Sequence, residues 1–158
     1  MTRGEEFERL QFRATREKND SLLESLFHPD RTYESNLFPT QLKGKGEEHI
    51  MWETLTEEID TGTQKVIYED KDHVHVHKYY KLENTEVFYS VIQKVTYRDG
   101  KIVHTQEEYE DLDYDPSEGQ SWTWEDVRWW WEMITATEVT FEERQGFADQ
   151  KGIPTLTN

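Results

Sequence analysis

The stretch over residues 72–112 constrains this chain most. It reads DHVHVHKYYKL, then ENTE, then VFYSVIQKVTY, then RDG, then KIVHTQEEYEDL. Three alternating runs separated by turn signals make two hairpins end to end. Asp99-Gly100 is the strongest of those signals, a type I′ turn in which both residues take positive φ. A chain with this stretch is committed to an antiparallel sheet.

The turns set a register. With Asp99-Gly100 as the turn, Arg98 faces Lys101, Tyr97 faces Ile102 and Val95 faces His104. With Asn84-Thr85 turning the earlier hairpin, Leu82 faces Val87, Tyr80 faces Tyr89 and Val74 faces Val95. Side chains alternate between the two faces of a strand. One face then carries Val74, Val76, Tyr80, Leu82, Val87, Tyr89, Val91, Val95, Tyr97 and Ile102, with a polar thread of Gln93, His104, Gln106 and Glu108. The other carries His73, His75, His77, Lys81, Lys94, Thr96, Thr105, Glu107 and Asp111, with Phe88 and Ile92. A slip of one residue exchanges the faces, so the apolar set selects the register and the first face is expected inward.

A chain of 158 residues fits one domain and can bury a sizeable core. Its net charge of −16 makes nucleic acid and anionic membrane surfaces poor partners, because binding phosphate needs basic patches. There is no cysteine, which excludes disulfide scaffolds and thiolate metal sites and is compatible with a reducing compartment. The opening MTRGEEFERLQF lacks the apolar core of a signal peptide, and no apolar run reaches membrane-spanning length. A cytoplasmic location is the expectation.

Upstream of the hairpins, residues 4–27 read as helix, with Phe7, Leu10, Ala14, Leu22, Leu23 and Leu26 at helical spacing. Asn19-Asp20-Ser21 divides it, with Asp20 or Ser21 as cap and Glu24 completing a capping box, and Pro29 ends it. A short strand covers 31–38, LKGKG is a loop, and a second helix runs from Gly46 to about Ile59, stopped by Thr61-Gly62. A strand over 64–69 then sets Ile67 beside Val74 and Lys65 beside Val76. Downstream, Thr123 caps a Trp-rich helix over 124–136, with Trp124, Val127, Trp131 and Ile134 on one face and Trp130 and Met133 off it. A weaker helix and a loose Gly-Ile-Pro tail follow.

Four local features, in this order, carry a resemblance. A first helix ends in a Pro-Asp step, here His28-Pro29-Asp30. A Gly-x-x-x-Ile opens the short helix, here Gly46 to Ile50. The last hairpin turns on Asp99-Gly100-Lys101-Ile102. A Tyr-x-Asp ending closes it, here Tyr109 to Asp111. Together they resemble the NTF2-like, or SnoaL-like, superfamily over roughly residues 5–112. The resemblance implies an α+β cone, N-terminal helices on a curved antiparallel sheet, over 1–112, with 113–158 a C-terminal helical extension packing on the same domain. It also implies a small-molecule-binding protein. Some members isomerise, cyclise, dehydrate or hydrolyse their ligands; others are non-catalytic binding or dimerisation domains. Ketosteroid isomerase-type members carry an aspartate base shortly before the Gly-x-x-x-Ile helix. This chain has none between Asp30 and Asp60, which argues against that mechanism.

Three groups of residues are candidates for chemistry. His73, His75 and His77 suggest a metal, but alternate residues on a strand spread three rings over about 13 Å, so one ion takes two of them at most. The flanking Thr96, Lys94 and Ile92 supply no third ligand, and no metal is expected. The polar thread is the better candidate, with His104 and Glu108 as acid–base residues and Gln93, Gln106, Tyr80 and Tyr89 as ligand contacts. Glu34 and Asn36 on one face of the first strand, or Tyr33 and Ser35 on the other, add a pocket wall. No cofactor is expected, since neither Gly-x-Gly-x-x-Gly nor a P-loop is present.

Two readings follow. In the first, a small-molecule enzyme or binder uses His104, with an apolar cavity reaching it. In the second, a structural or homodimerisation domain fills its own cone with Trp124 or Trp131. The Trp-rich helix serves equally as lid, subunit interface or outer packing, and a homodimer is expected from the excess of aromatics.

Overall fold

Six strands form one sheet in the order β2-β1-β6-β5-β4-β3. They are β1 (Phe27–Ser35), β2 (Leu42–Lys43), β3 (Ile59–Glu69), β4 (His73–Leu82), β5 (Phe88–Arg98) and β6 (Lys101–Leu112). The structure is a computed structural model that describes residues 3–47, 59–82, 85–136 and 138–155. Pairing is antiparallel throughout except between β1 and β6, which run parallel. Helix α1 (Arg3–Glu17) and a 3-10 helix over Asp20–Leu26 precede the sheet; α2 (Trp124–Thr135) and α3 (Phe141–Lys151) follow it. This is the expected α+β cone with a C-terminal helical extension.

The N-terminal elements differ from expectation in detail. Asn19 rather than Asp20 or Ser21 caps the 3-10 helix, its side chain accepting from the Ser21 N–H. Glu24 is thereby released to pair with both terminal nitrogens of Arg31, at 3.1 and 3.2 Å. The chain turns extended at Phe27, so Pro29 lies inside β1. The strand expected over 31–38 therefore runs earlier, and Leu42–Lys43 pairs with it instead of looping. The helix expected from Gly46 to Ile59 falls mostly on 48–58, outside the described residues.

The β4–β5 hairpin follows the expected register, with Val74 opposite Val95 and Tyr80 opposite Tyr89. At Asp99 and Gly100, φ is +54° and +79°, as the turn requires. Beyond that turn the register departs. Tyr97 still faces Ile102, but Thr96 faces His104 and Val95 faces Thr105. Val103 is an extra residue, a β-bulge. It reverses the parity of everything after it. His104, Gln106 and Glu108 are carried to the outer face, and Thr105, Glu107 and Tyr109 turn inward.

The physical reason lies in the spacing of Ile102 and Tyr109. They are seven residues apart, and a regular strand cannot point both the same way. The bulge lets Ile102 and Tyr109 each join an apolar cluster. A second bulge, between Val66 and Tyr68, does the same in β3. Val66 and Glu69 then lie opposite Val76 and Val74, in place of Lys65 and Ile67, and Ile67 is 51% exposed.

The inner face holds two apolar clusters with a polar belt between them. At one end, Phe7 of α1 packs on Val74, Val76, Val95, Tyr97 and Ile102. At the other, Tyr80 and Val91 meet Trp122, Val127, Trp130 and Trp131. Helix α2 is opened by Thr123, the expected cap, which forms a capping box with Asp126. Trp130, expected off the buried face, is buried because α3 covers it; its indole N–H donates to the Arg144 carbonyl. Among the described tryptophans, Trp129 is the one left to solvent, 61% exposed. The tail is not loose. Ile153 and Thr155 are buried, and Thr155 bridges to Gln64 of β3.

Candidate functional site

The belt between the clusters consists of neighbours across four strands. Gln93 of β5 lies between Val76 of β4 and Glu107 of β6, and Ser35 of β1 lies beyond Glu107. Lys78, two residues along from Val76, has the same facing. Tyr33 of β1 adjoins Thr105. Lys78 and Glu107 are only 3% and 6% exposed. Their charged atoms, Nζ and Oε2, are 3.8 Å apart, an ion pair too long for a hydrogen bond.

Glu107 is the electrostatic centre. Burial pushes the phenols of Tyr33, Tyr80 and Tyr109 well above their ordinary value, and in each the Glu107 carboxylate adds to the effect. Burial also pushes the Lys78 ammonium down to about 8, and the Glu107 charge opposes that shift. One buried polar atom of the belt, Gln93 Oε1, has no hydrogen-bond partner among the described residues. Nor has Gln64 Nε2, on the strand beside Lys78. Buried polar groups normally find partners, so an interior with open ones is suited to a polar guest.

A cavity of about 220 Å³ lies at the β1–β2 turn, and Ser35 and Glu107 are the belt residues that line it. Glu34, Asn36, Gln106, Glu108 and residues 38–41 also line it. Four residues expected at a site, Glu34, Asn36, Gln106 and Glu108, are thus brought together, at the mouth rather than inside the cone. Asn36 is held there by two hydrogen bonds to the Tyr109 backbone, at 2.8 and 2.9 Å.

His104 is not in the cone. On the outer face its Nδ1 lies 2.7 Å from Thr32 Oγ1 and its Nε2 3.0 Å from Glu34 Oε1. Gln93 and Tyr80 do face inward, and Tyr89 is half-buried beside Tyr80 in the Trp-rich cluster. Of the two pairs left open on the first strand, Tyr33 and Ser35 share the inward face with Thr105 and Glu107, and Glu34 lies on the other with Gln106.

Lys78 escaped the sequence reading, although alternation already set it between Val76 and Tyr80. A lysine in an apolar stripe is itself the signal, since lysine is seldom fully buried without a partner. Glu107 was assigned to the wrong face by the unrecognised bulge.

The histidine row has separate partners. His73 Nδ1 is 3.1 Å from Asp70 Oδ1, the His75 ring lies tilted against Tyr68, and His77 Nε2 is 2.8 Å from Ser90 Oγ. Burial holds His75 and His77 below the usual imidazole range. Among the described residues no group of three His, Asp or Glu side chains is arranged to hold a metal ion. No helix among them is long and apolar enough to cross a membrane.

No protein-family model and no curated protein matches this sequence. Solved structures do match in fold. An NTF-2 like protein of unknown function from Burkholderia xenovorans superposes with a TM-score of 0.58 at 10% identity, over 69% of this chain and 84% of that one. A steroid delta-isomerase from Pseudomonas aeruginosa gives 0.55 at 12% identity, over 96% and 91% of the two chains. A SnoaL-like protein from Mesorhizobium loti, described as a polyketide cyclase, gives 0.54 at 15% identity, over 68% and 98%. Each likeness is one of fold.

Proposed function

The chain has the NTF2-like, or SnoaL-like, fold, and from that premise we propose that it binds a small molecule at the polar belt, with Glu107 as its acid–base residue. One observation carries the reading. Glu107 is buried among open polar atoms and yet lines a cavity. A carboxylate in that position can accept a proton from a bound ligand and return it, the step shared by isomerisation, cyclisation, dehydration and hydrolysis. Gln93 and Tyr33 supply hydrogen bonds to the guest. Glu34, Asn36, Gln106 and Glu108 form its entrance. His104, paired with Glu34, acts through the entrance and not on the ligand.

The test is ligand-observed NMR with a library of small fragments, followed by titration of each hit. Glu107→Gln and Tyr33→Phe are expected to weaken binding at least tenfold, and His104→Ala less than twofold. Hits that bind the Glu107→Gln protein unchanged would refute the assignment.

A second reading has its own support. Trp130 and Trp131 pack on Tyr80 and Val91 and fill that end of the cone, as a non-catalytic domain would. Ile67 and Tyr68 are exposed large side chains that a homodimer through the outer sheet face would cover. Sedimentation equilibrium at micromolar concentration that returns the monomer mass of 19.1 kDa would count against the dimer.

A further inference from the structure

We infer that the cavity at the β1–β2 turn takes a small aliphatic ammonium ion, held among Glu34, Glu107 and Glu108 with its carbon chain against Phe38 and Pro39. The inference rests on the ligand site proposed above and names its ligand class.

The charge of the lining is one-sided. Three carboxylates border the cavity, and no lysine, arginine or histidine is among the described residues that line it. Glu107 reaches it from the inner face of the sheet, Glu34 and Glu108 from the outer one. The nearby cations stand behind these acids and not in the cavity. Lys78 Nζ approaches Glu107 from inside the cone at 3.8 Å, too far for a hydrogen bond, and His104 Nε2 meets Glu34 at 3.0 Å. Acids scattered over the surface of a chain carrying −16 need no ligand. What separates this set is that one of its members, Glu107, is 6% exposed and still lines a cavity.

Hydrogen-bonding capacity is one-sided as well. An ionised carboxylate accepts at about four lone-pair sites and donates at none. The Tyr33 hydroxyl donates to Glu107, which leaves capacity that burial keeps from bulk water. Donors of the lining are turned toward the protein. Ser35 gives its hydroxyl proton to Tyr33, and both ends of the Asn36 amide are held by the Tyr109 backbone at 2.8 and 2.9 Å. The guest is therefore offered acceptors. A primary ammonium group brings three donors and no acceptor. An alcohol of the same shape brings one donor, and a carboxylate brings none and adds a like charge.

The remaining wall suits a short carbon chain. The Phe38 ring is fixed by an edge-on contact with Tyr33, their centroids 6.3 Å apart, and its face favours both alkyl groups and cations. A cavity of about 220 Å³ has the liquid volume of about seven waters, room for an alkylammonium of about four carbons.

The experiment uses the whole chain at pH 7, where an alkylamine is charged. The probes are n-butylammonium, butan-1-ol and butyrate, which share nearly one shape. Binding is read from amide shifts in proton–nitrogen correlation spectra, including the side-chain amides of Gln41 and Gln106. Butylammonium should half-saturate at a concentration at least fivefold below butan-1-ol, with its shifts centred on residues 34–41 and 106–108. Butyrate should cause no shift. Glu34→Gln/Glu108→Gln, which leaves the buried Glu107 in place, should weaken butylammonium at least fivefold and butan-1-ol less than twofold. Glu142→Gln/Glu143→Gln on α3 removes the same charge away from the cavity and should weaken butylammonium less than twofold. That pair separates the site from the general attraction of an acidic chain for cations. Equal binding of butylammonium and butan-1-ol, shifts scattered over the surface, or equal weakening by the α3 pair would overturn the inference. If neutral fragments still bind in a manner that depends on Glu107, the site survives without this ligand class. If no probe and no fragment binds, both readings fall.

Discussion

Folding stability should rise between pH 7 and 9.5 because of Lys78 alone. Its ammonium has an ordinary pKa of 10.5 and is held down to about 8 in the fold, chiefly by burial. Between those values the unfolded chain binds more protons than the folded one, so stability grows with pH. At pH 7 both states are largely protonated, and the fold carries the full cost of the buried charge. By pH 9.5 the folded lysine is neutral and most of that cost is gone. With about 1.4 kcal/mol for each unit of pKa, the gain over this range is about 2 kcal/mol. The range ends there because Tyr33, Tyr80, Tyr97 and Tyr109 are all held above 10 by burial. Above pH 10 the unfolded chain sheds their protons first, and stability falls. The reference is the double variant Lys78→Met/Glu107→Gln, which removes both charges at similar volume. A single Lys78→Met would leave Glu107 buried without a partner, at about 3–5 kcal/mol, and would titrate in its own right. Urea denaturation of both proteins at half-unit pH steps gives the difference curve. A difference constant to within about 0.5 kcal/mol would refute the argument. It would mean that Lys78 is solvated, or paired closely enough to keep its ordinary pKa.

Three further perturbations test the packing, each read by urea denaturation. Gly62→Ala should cost about 1–3 kcal/mol, because the new methyl would collide with the Tyr80 ring. Trp131→Ala should cost about 3–5 kcal/mol, while Trp129→Ala, on the same helix, should stay within about 0.5 kcal/mol. Deleting Val103 should remove the bulge and its bend but keep His104 opposite Thr96 and Glu107 opposite Gln93, so the cost should stay within about 3 kcal/mol; a deletion that prevents folding would mean that the bend itself holds the fold together.

The sheet was legible because its strongest signals are local. The Asp99-Gly100 turn and the alternation of β4 and β5 each rest on a few consecutive residues, and the structure follows both. The Thr123 cap was legible for the same reason. What escaped is decided over longer distances. Trp130 is buried because α3 lies over it, and no periodicity within α2 reports that. The tail is pinned by a bridge from Thr155 to Gln64, 91 positions away in the chain. Asn19 caps the 3-10 helix while Glu24 is held by Arg31 of β1, a contact that competes with the capping box.

The candidate site depends on a single extra residue. Parity carried forward from a turn is correct until the first bulge, and one bulge converts every later inward position into an outward one. The warning was present in β6 as an odd spacing between Ile102 and Tyr109, two residues that an amphipathic strand would both bury. Counting back from Tyr109 as well as forward from Gly100 exposes the conflict, and a single inserted residue is its smallest resolution. Bulges also bend the strand that holds them. The residue that turns Glu107 toward Gln93 and Lys78 therefore also helps curve the sheet into a cone around them. On this view the curvature and the buried carboxylate have one cause. A change that draws Val103 into the ladder opposite Thr96 would straighten β6 and turn Glu107 outward, losing the site together with the shape before it touches any residue of the belt.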